Sequence, residues 1–179
     1  MELRAIPLLL GITACMAVTS AHAVTTGTLR FTGQINAGTC DLATADVNRT
    51  VNLPTLKVPD FNGVDFAGQT NFQITANCES DIRNVTFLFT GTPIAGNGNL
   101  FNNTGTSGGI GLWLTSGPAS SRVTIPANGT VAARSRTLTT TTSNRAVLDL
   151  SAAYHKNGAG AVVSRGTLAS AVTVSITYN

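Results

Sequence analysis

Apolar residues recur at every second position over most of this chain. Leu29, Phe31, Gly33 and Ile35 alternate with Arg30, Thr32 and Gln34, Val51 and Leu53 alternate with Thr50 and Asn52, and Phe72 and Ile74 lead into Ala76 and Cys78. The pattern returns in Val85, Phe87, Phe89, in Ile110, Leu112, Leu114, in Val123 and Ile125, and in Ala146, Leu148, Leu150, Ala152, Tyr154. Successive side chains of a β-strand point to opposite faces, so each run gives a core one apolar face. Turns rich in Gly, Asn and Pro separate the runs, and beyond the N-terminus no stretch of helical period is long enough to matter. The reading is all-β, with about seven or eight short strands. Thr90 to Gly109, rich in Gly, Asn and Thr and broken by Pro93 and Leu100, reads as a long surface loop. Arg134 to Asn144, with Thr137 and Thr139 to Thr142, reads as a strand, because β-branched residues favour a pleated, half-exposed surface.

The first residues read as a processing signal. Arg4 precedes an apolar run from Ile6 to Val18, and Ala21, His22, Ala23 form a small-residue cleavage site, so residues 1–23 are expected to be a signal peptide and Val24 the mature start. A lipoprotein site at Ile12, Thr13, Ala14, Cys15 is the poorer alternative, because Ile12 and Thr13 fit it badly. Taking 23 from 179 leaves 156 residues, the size of one ordinary domain. No later segment is continuously apolar over the length a bilayer demands. Net charge is +3, unchanged by cleavage since Glu2 and Arg4 cancel, and the arginines from Arg30 to Arg165 form no run. That distribution argues only weakly for nucleic acid or membrane binding, and no nucleic-acid partner is expected. Only 11% of residues are charged, so Thr, Ser, Asn and Gly must clothe the surface, as suits a protein packing against copies or relatives outside the cell.

Cys40 and Cys78 are the cysteines that remain after cleavage, and in an oxidising compartment they are expected to form a disulfide. Closing a loop of roughly 40 residues contributes about 4 kcal/mol in the chain-entropy model. A metal site or catalytic thiol would need partners, yet His155 is the only mature histidine and neither cysteine has another close by in sequence. Short strands, regular turns and one disulfide point to a β-sandwich of immunoglobulin-like type. The cysteines lie too close for an antibody-type domain, and Trp113 follows both.

Val172 to Asn179 alternate without a break to the last residue, and at the other end Thr25, Gly27, Leu29, Phe31 and Gly33 alternate with Thr26, Thr28, Arg30 and Thr32. Taken singly, each is a strand of the chain's own sheet. The ordered set says more. GTLRFTGQINAGTC at the start, TVNLPTLKV, FQITANC and VTFLFTGT in the middle, GIGLWL, and AAYHKNG through VTVSITYN at the end closely resemble the type 1 pilin (fimbrial subunit) family of the chaperone–usher pathway. The resemblance spans nearly the whole mature chain and includes the penultimate Tyr178 and the paired Cys40 and Cys78.

The resemblance implies an incomplete immunoglobulin-like β-sandwich, completed by donor-strand complementation. A periplasmic pilus chaperone first lends the missing strand, and at an outer-membrane usher the N-terminal extension of the next subunit replaces it, a form of strand addition. It divides the chain into the signal peptide 1–23, a donor extension with the start of the first strand at 24–36, and a pilin domain at 37–179. Gly27, Leu29 and Phe31, with Thr25 and Gly33 at the ends of the row, would be the donor residues. Val172, Val174, Ile176 and Tyr178 would form the acceptor strand that the chaperone reads, with the carboxylate of Asn179 against basic residues of that chaperone. Neighbouring pilin subunits are the lasting partners, the fimbrium on the cell surface is the destination, and adhesion is the role of the whole fibre.

Two departures from the family pattern stand out. Only Val24, Thr25 and Thr26 precede Gly27, and Pro54 stands where the family usually has glycine. Trp113 alternates away from Leu112 and Leu114, as an exposed residue or a contact to another subunit. His155, followed by Lys156, Asn157 and Gly158, reads as a solvated turn histidine. The scattered carboxylates Asp41, Asp46, Asp60, Asp65, Glu79, Asp81 and Asp149 make neither a calcium loop nor a glycosidase pair. No enzyme activity, cofactor, metal or small-molecule substrate is therefore expected. The rival is a monomeric secreted β-sandwich binding module, for example for carbohydrate, whose N-terminal strand folds back into its own sheet.

Overall fold

The computed structural model describes residues 28–179. The expected signal peptide and the donor positions Thr25 and Gly27 lie outside the described residues. The chain divides at Ile35, and the unit Asn36–Asn179 holds every strand among the described residues.

Its elements in chain order are β1 (Cys40–Leu42), β2 (Phe66–Cys78), β3 (Asn84–Gly91), β4 (Pro93–Ile94), β5 (Asn97–Phe101), β6 (Ile110–Ser116), β7 (Val123–Thr124), a one-turn helix α1 (Val131–Arg134), β8 (Ser135–Thr139), β9 (Arg145–Lys156) and β10 (Val172–Tyr178). A single 3₁₀ turn, Val58–Phe61, lies between β1 and β2. The strands form a large sheet in the order β1-β2-β9-β6-β5-β4, with β7 on β6, and a three-stranded sheet in the order β10-β3-β8. The pairings are antiparallel, and register sets the faces: Ile74 lies opposite Leu148 and Leu114 opposite Ala152 in the large sheet, while Val85 lies opposite Leu138 and Phe87 opposite Ile176 in the small one. These apolar faces meet in one buried cluster that includes Val85, Phe87 and Phe89 from β3 and Ile74, Leu114 and Leu148 from the large sheet.

Cys40 and Cys78 face each other across the β1–β2 ladder and are joined, with S–S 2.08 Å. Arg136 of β8 reaches from one sheet to the other, donating from Nε to Ser116 Oγ and from Nη2 to the Thr124 carbonyl at 2.8 Å. Loop 102–109 is laced to the segment before β10: Thr104 N–H donates to the Ala169 carbonyl at 2.8 Å, and Asn103 Oδ1 accepts from Ala169 N–H at 2.9 Å.

Several expectations change. No strand forms over residues 28–39. Val51 and Leu53 remain half-buried between exposed Thr50 and Asn52, yet they too belong to no strand. Alternation reports that one face is apolar, whereas a strand also needs a neighbour to complete its ladder. Within the expected loop from Thr90 to Gly109, residues 93–101 instead form the β4–β5 hairpin, turning at Gly96 with φ 80°, and Leu100 and Phe101 are core residues, while 102–109 remain a loop. There the Gly and Asn content marks a tight turn, for which a left-handed glycine is suited. The Thr-rich stretch is a strand only to Thr139, after which Thr140 to Asn144 turn the chain into β9. His155 lies within β9, ahead of the turn.

Candidate functional site

The order of the small sheet leaves β10 at an edge, with β3 on one side and no strand on the other among the described residues. On that open side the sandwich is not closed. A cleft of about 780 Å³ runs between two walls. One wall is β10 from Val172 to Val174 with Leu168 to Ser170 before it, and the other is the segment from Asp46 to Leu53. Between them lie Ile74, Phe89, Leu114 and Leu150, which count among the most deeply buried side chains of the protein. The cleft is therefore a breach into the hydrophobic core and not a surface dimple.

Both walls carry backbone in want of partners. β10 is bonded along one edge only, as its register with β3 from Val172 to Tyr178 requires. Opposite it, among the described residues, no peptide N–H from Arg49 to Leu56 donates to a backbone carbonyl. Arg49 steadies this wall by pairing with Asp46 at 2.9 Å, donating to the Gln73 carbonyl and lying over the Phe72 ring. Further along, Tyr154 Oη donates to the carbonyl of Pro54 at 3.2 Å. An unpaired backbone edge beside apolar pockets is the surface that an added β-strand satisfies.

Of the expected acceptor residues, Val172 and Val174 line the cleft on the β10 wall, and Ile176, Tyr178 and Asn179 lie beyond it toward the end of the chain. Val172, Val174 and Ile176 are half-buried and pack against the core, while Thr173, Ser175 and Thr177 face out. Tyr178 is 41% exposed beyond the end of that inward row. The backbone oxygen of Asn179 accepts from the Arg83 and Asn84 amides at 2.9 and 3.4 Å, tying the last residue to the start of β3.

In the N-terminal unit, Leu29, Phe31 and Ile35 are 82%, 89% and 99% exposed. Gly33 has open space around its Cα. Three large apolar side chains in one alternating row, all facing water, are costly for a chain that keeps them to itself. Ile35, which is not in the expected donor row, continues the same alternation from Leu29 onward. The Leu168 to Ser170 part of the wall was also missed, for it carries no strand pattern.

Trp113 is half-buried on the outer face of the large sheet, its ring 4.7 Å from that of Phe66 and 5.5 Å from that of His155. Its Nε1–H donates to Thr124 Oγ1 at 3.1 Å, and His155 Nδ1 bonds the Lys156 carbonyl at 2.7 Å. Both side chains are thus engaged within the domain. A shallower cleft of about 480 Å³ on the same sheet is lined by polar groups already paired with one another, Arg122 with Asn71 and Gln73 with Asp149. Among the described residues no three metal-binding side chains come together, and no helix is long and apolar enough to cross a membrane.

The profile of the family described as Fimbrial protein matches residues 29–179. The chain belongs to the fimbrial protein family. It is a subunit of a surface pilus, and other pilin subunits are its partners. Among solved structures the fimbrial fold recurs in the P pilus rod subunit PapA, at TM-score 0.57 and 17% identity over 78% of this chain and 99% of that one. A chain from the structure of a chaperone–usher pilus gives 0.59 at 16% identity, covering 88% and 98%. The P pilus adaptor subunit PapF gives 0.51 at 16% identity, covering 78% and 95%. At these identities the likeness is one of fold. No curated protein sequence matches the chain. The fold is the incomplete immunoglobulin-like sandwich that the pilin resemblance implied.

Proposed function

We propose that this pilus subunit polymerises by donor-strand exchange, with the cleft between β10 and residues 46–53 as its acceptor groove. The observation that carries the reading is the breach itself, with core side chains at its base and an unpaired backbone edge on each side. An inserted strand would satisfy both edges and cover the floor. The donor is the extension of a neighbouring subunit, residues 24–36, presenting Gly27, Leu29, Phe31, Gly33 and Ile35, with Thr25 at its outer end. Burying Leu29, Phe31 and Ile35 contributes roughly 2 kcal/mol each, and alternation fixes the register, because a slip by one residue would turn Arg30 and Thr32 inward. The pilin domain proper is 37–179.

Before assembly the groove must be covered, since an open apolar edge invites aggregation. A periplasmic chaperone would lend a strand against Val172, Val174, Ile176 and Tyr178, with the end of the chain at Asn179 beside basic residues of that chaperone. An outer-membrane usher would then exchange that strand for the next extension. The subunit itself is a structural element, without catalysis.

The test uses the mature chain and a synthetic peptide of residues 24–36. We expect the peptide to bind and a Phe31→Asp peptide to fail, and the same substitution in the full chain to block incorporation into fibres without preventing export. A mature chain that is a stable monomer with a cooperative melt indifferent to the peptide would overturn the proposal in favour of the monomeric binding module.

A further inference from the structure

The shallower cleft on the large sheet holds charges that the donor and acceptor roles do not use. One side comes from Asn71 to Gln73 of β2 and Asp149 of β9, and the other from the β6–β7 loop between Gly117 and Arg122. That loop is pinned, since Gly117 N–H donates to the Asp149 carbonyl at 3.1 Å and Ser121 N–H to the Pro118 carbonyl at 3.0 Å. At about 480 Å³ the cleft has the size of a small-molecule site. Two hydrogen-bonded pairs lie along it: Arg122 Nη2 donates to Asn71 Oδ1 at 3.0 Å, and Gln73 Nε2 donates to Asp149 Oδ1 at 2.7 Å. Asn71 and Gln73 share one face of β2, which sets the two pairs roughly 7 Å apart. Neither pair answers its charge. Among the described residues Arg122 has no carboxylate in ion-pair reach, and its Nε–H is buried without a hydrogen-bond partner. The Asp149 side chain is exposed and, among the described residues, accepts from Gln73 alone. Arg49 also lines the cleft, but Asp46 answers its charge, so Arg122 is the cation left over.

We propose that this cleft binds a sugar acid unit of an acidic glycan, with Arg122 on the sugar carboxylate and Asp149 on ring hydroxyls. The lining chemistry selects that class. A guanidinium is a planar fork that holds a carboxylate by two parallel bonds, and Arg122 keeps its Nε–H for one of them. A ligand oxygen there also relieves the cost of a buried donor without a partner. Asp149 accepts from hydroxyls, and the amides of Asn71 and Gln73 between the two charges can donate or accept. In a pyranose uronic acid the carboxylate and the hydroxyls sit on opposite sides of one ring, so a single unit reaches both charges. A simple anion would meet Asp149 as a like charge, and a neutral sugar would leave Arg122 unanswered. Neither Arg122 nor Asp149 lines the groove beside β10, so the site stands apart from the donor-strand reading.

The experiment is saturation-transfer NMR on purified fibres with three probes. Methyl β-D-glucuronide carries the ring and the carboxylate, methyl β-D-glucoside the ring alone, and acetate the carboxylate alone. We expect wild-type fibres to bind the glucuronide about tenfold more tightly than either of the others, the scale of one charge-assisted contact. Fibres of Arg122→Gln should lose that preference and bind glucuronide and glucoside alike. Fibres of Asp149→Ala should weaken on both sugars by the same factor, because the hydroxyls are common to both. Where Arg122→Gln subunits do not assemble, Arg122→Lys serves: it keeps the charge without the fork, so part of the preference for the glucuronide should be lost. Equal affinity for glucuronide and glucoside in wild-type fibres, acetate bound as tightly as the glucuronide, or a preference untouched by the Arg122 variants would overturn the proposal.

Discussion

Arg136 shows how a single charged residue can hold a sandwich together without an ion pair. Among the described residues the only salt bridge is Arg49 with Asp46, so Arg136 has no carboxylate to answer its charge. Its fork is satisfied by neutral acceptors: Ser116 Oγ and the Thr124 carbonyl on the large sheet, and the Ala133 and Ser135 carbonyls near its own strand. Burial lowers its pKa from the ordinary guanidinium value. For a base this sign means a penalty on the charged form that is constant below the folded-state pKa and relieved only as pH rises through it, far above neutrality. The residue's contribution is therefore flat between about pH 5 and 9. Bonds from a charged donor to such acceptors are worth about 1.5–3 kcal/mol net. We expect Arg136→Ala to lower the unfolding free energy of the peptide-filled subunit by about 3 kcal/mol, and Arg136→Lys by less, since one ammonium cannot span both strands as a planar fork does. Urea titrations at pH 6 and pH 9 check both points, and a difference that changes with pH would show that another group carries the effect.

At the scale of elements, β1 depends on its disulfide. A three-residue strand makes few ladder bonds, and β1 is one, pairing Cys40, Asp41 and Leu42 with the end of β2. The bridge closes a sequence separation of 38, worth about 4 kcal/mol in the chain-entropy model. The double variant Cys40→Ser, Cys78→Ser should lose about that much stability with the peptide bound, seen as a lower urea midpoint, and should release β1 amides to exchange first. How far such elements could be read in advance depended on whether their partners were within the chain. β3, β6, β9 and β10 alternate cleanly in sequence, pair with each other, and were legible down to the inward residues Phe87, Leu114, Leu148 and Val174. Val51 and Leu53 alternate just as cleanly, but among the described residues no strand pairs with them, so the pattern promised a ladder that the described domain does not make. Leu100 and Phe101 went unread because their strand is short and flanked by turn residues, which outweigh two apolar positions in any local window. The alternation sets Trp113 on the face away from Leu112 and Leu114, yet its tilted ring contact with Phe66 depends on β2 and β6 both pairing with β9, which no local pattern reports. The carboxylates that accept from the Gly38 and Thr39 amides, Asp81 and Glu79, were equally hidden, lying 43 and 40 positions away in sequence.

For the whole molecule, the decisive property is an open cleft into the core, which on the proposed reading a neighbouring subunit would fill. A domain whose buried residues line an open cleft gives up part of the apolar burial that normally offsets chain entropy, so its stability should rise when a strand is supplied. A ligand at a hundred times its dissociation constant adds about 2.7 kcal/mol, and a domain of this size gains roughly 2–4 °C per kcal/mol. The 24–36 peptide should thus raise the melting temperature of the mature chain by roughly 5–10 °C, more at higher concentration. The location of the gain is as informative as its size. Amide protection should increase along β10, from Val172 to Tyr178, and across Arg49 to Leu53, the two walls whose backbone lacks a partner. The interior ladder between β2 and β9, already paired along nearly its whole length, should change least. Protection confined to the outer face around Trp113 and Phe66 would mean that the peptide binds elsewhere, and the cleft would then need another occupant.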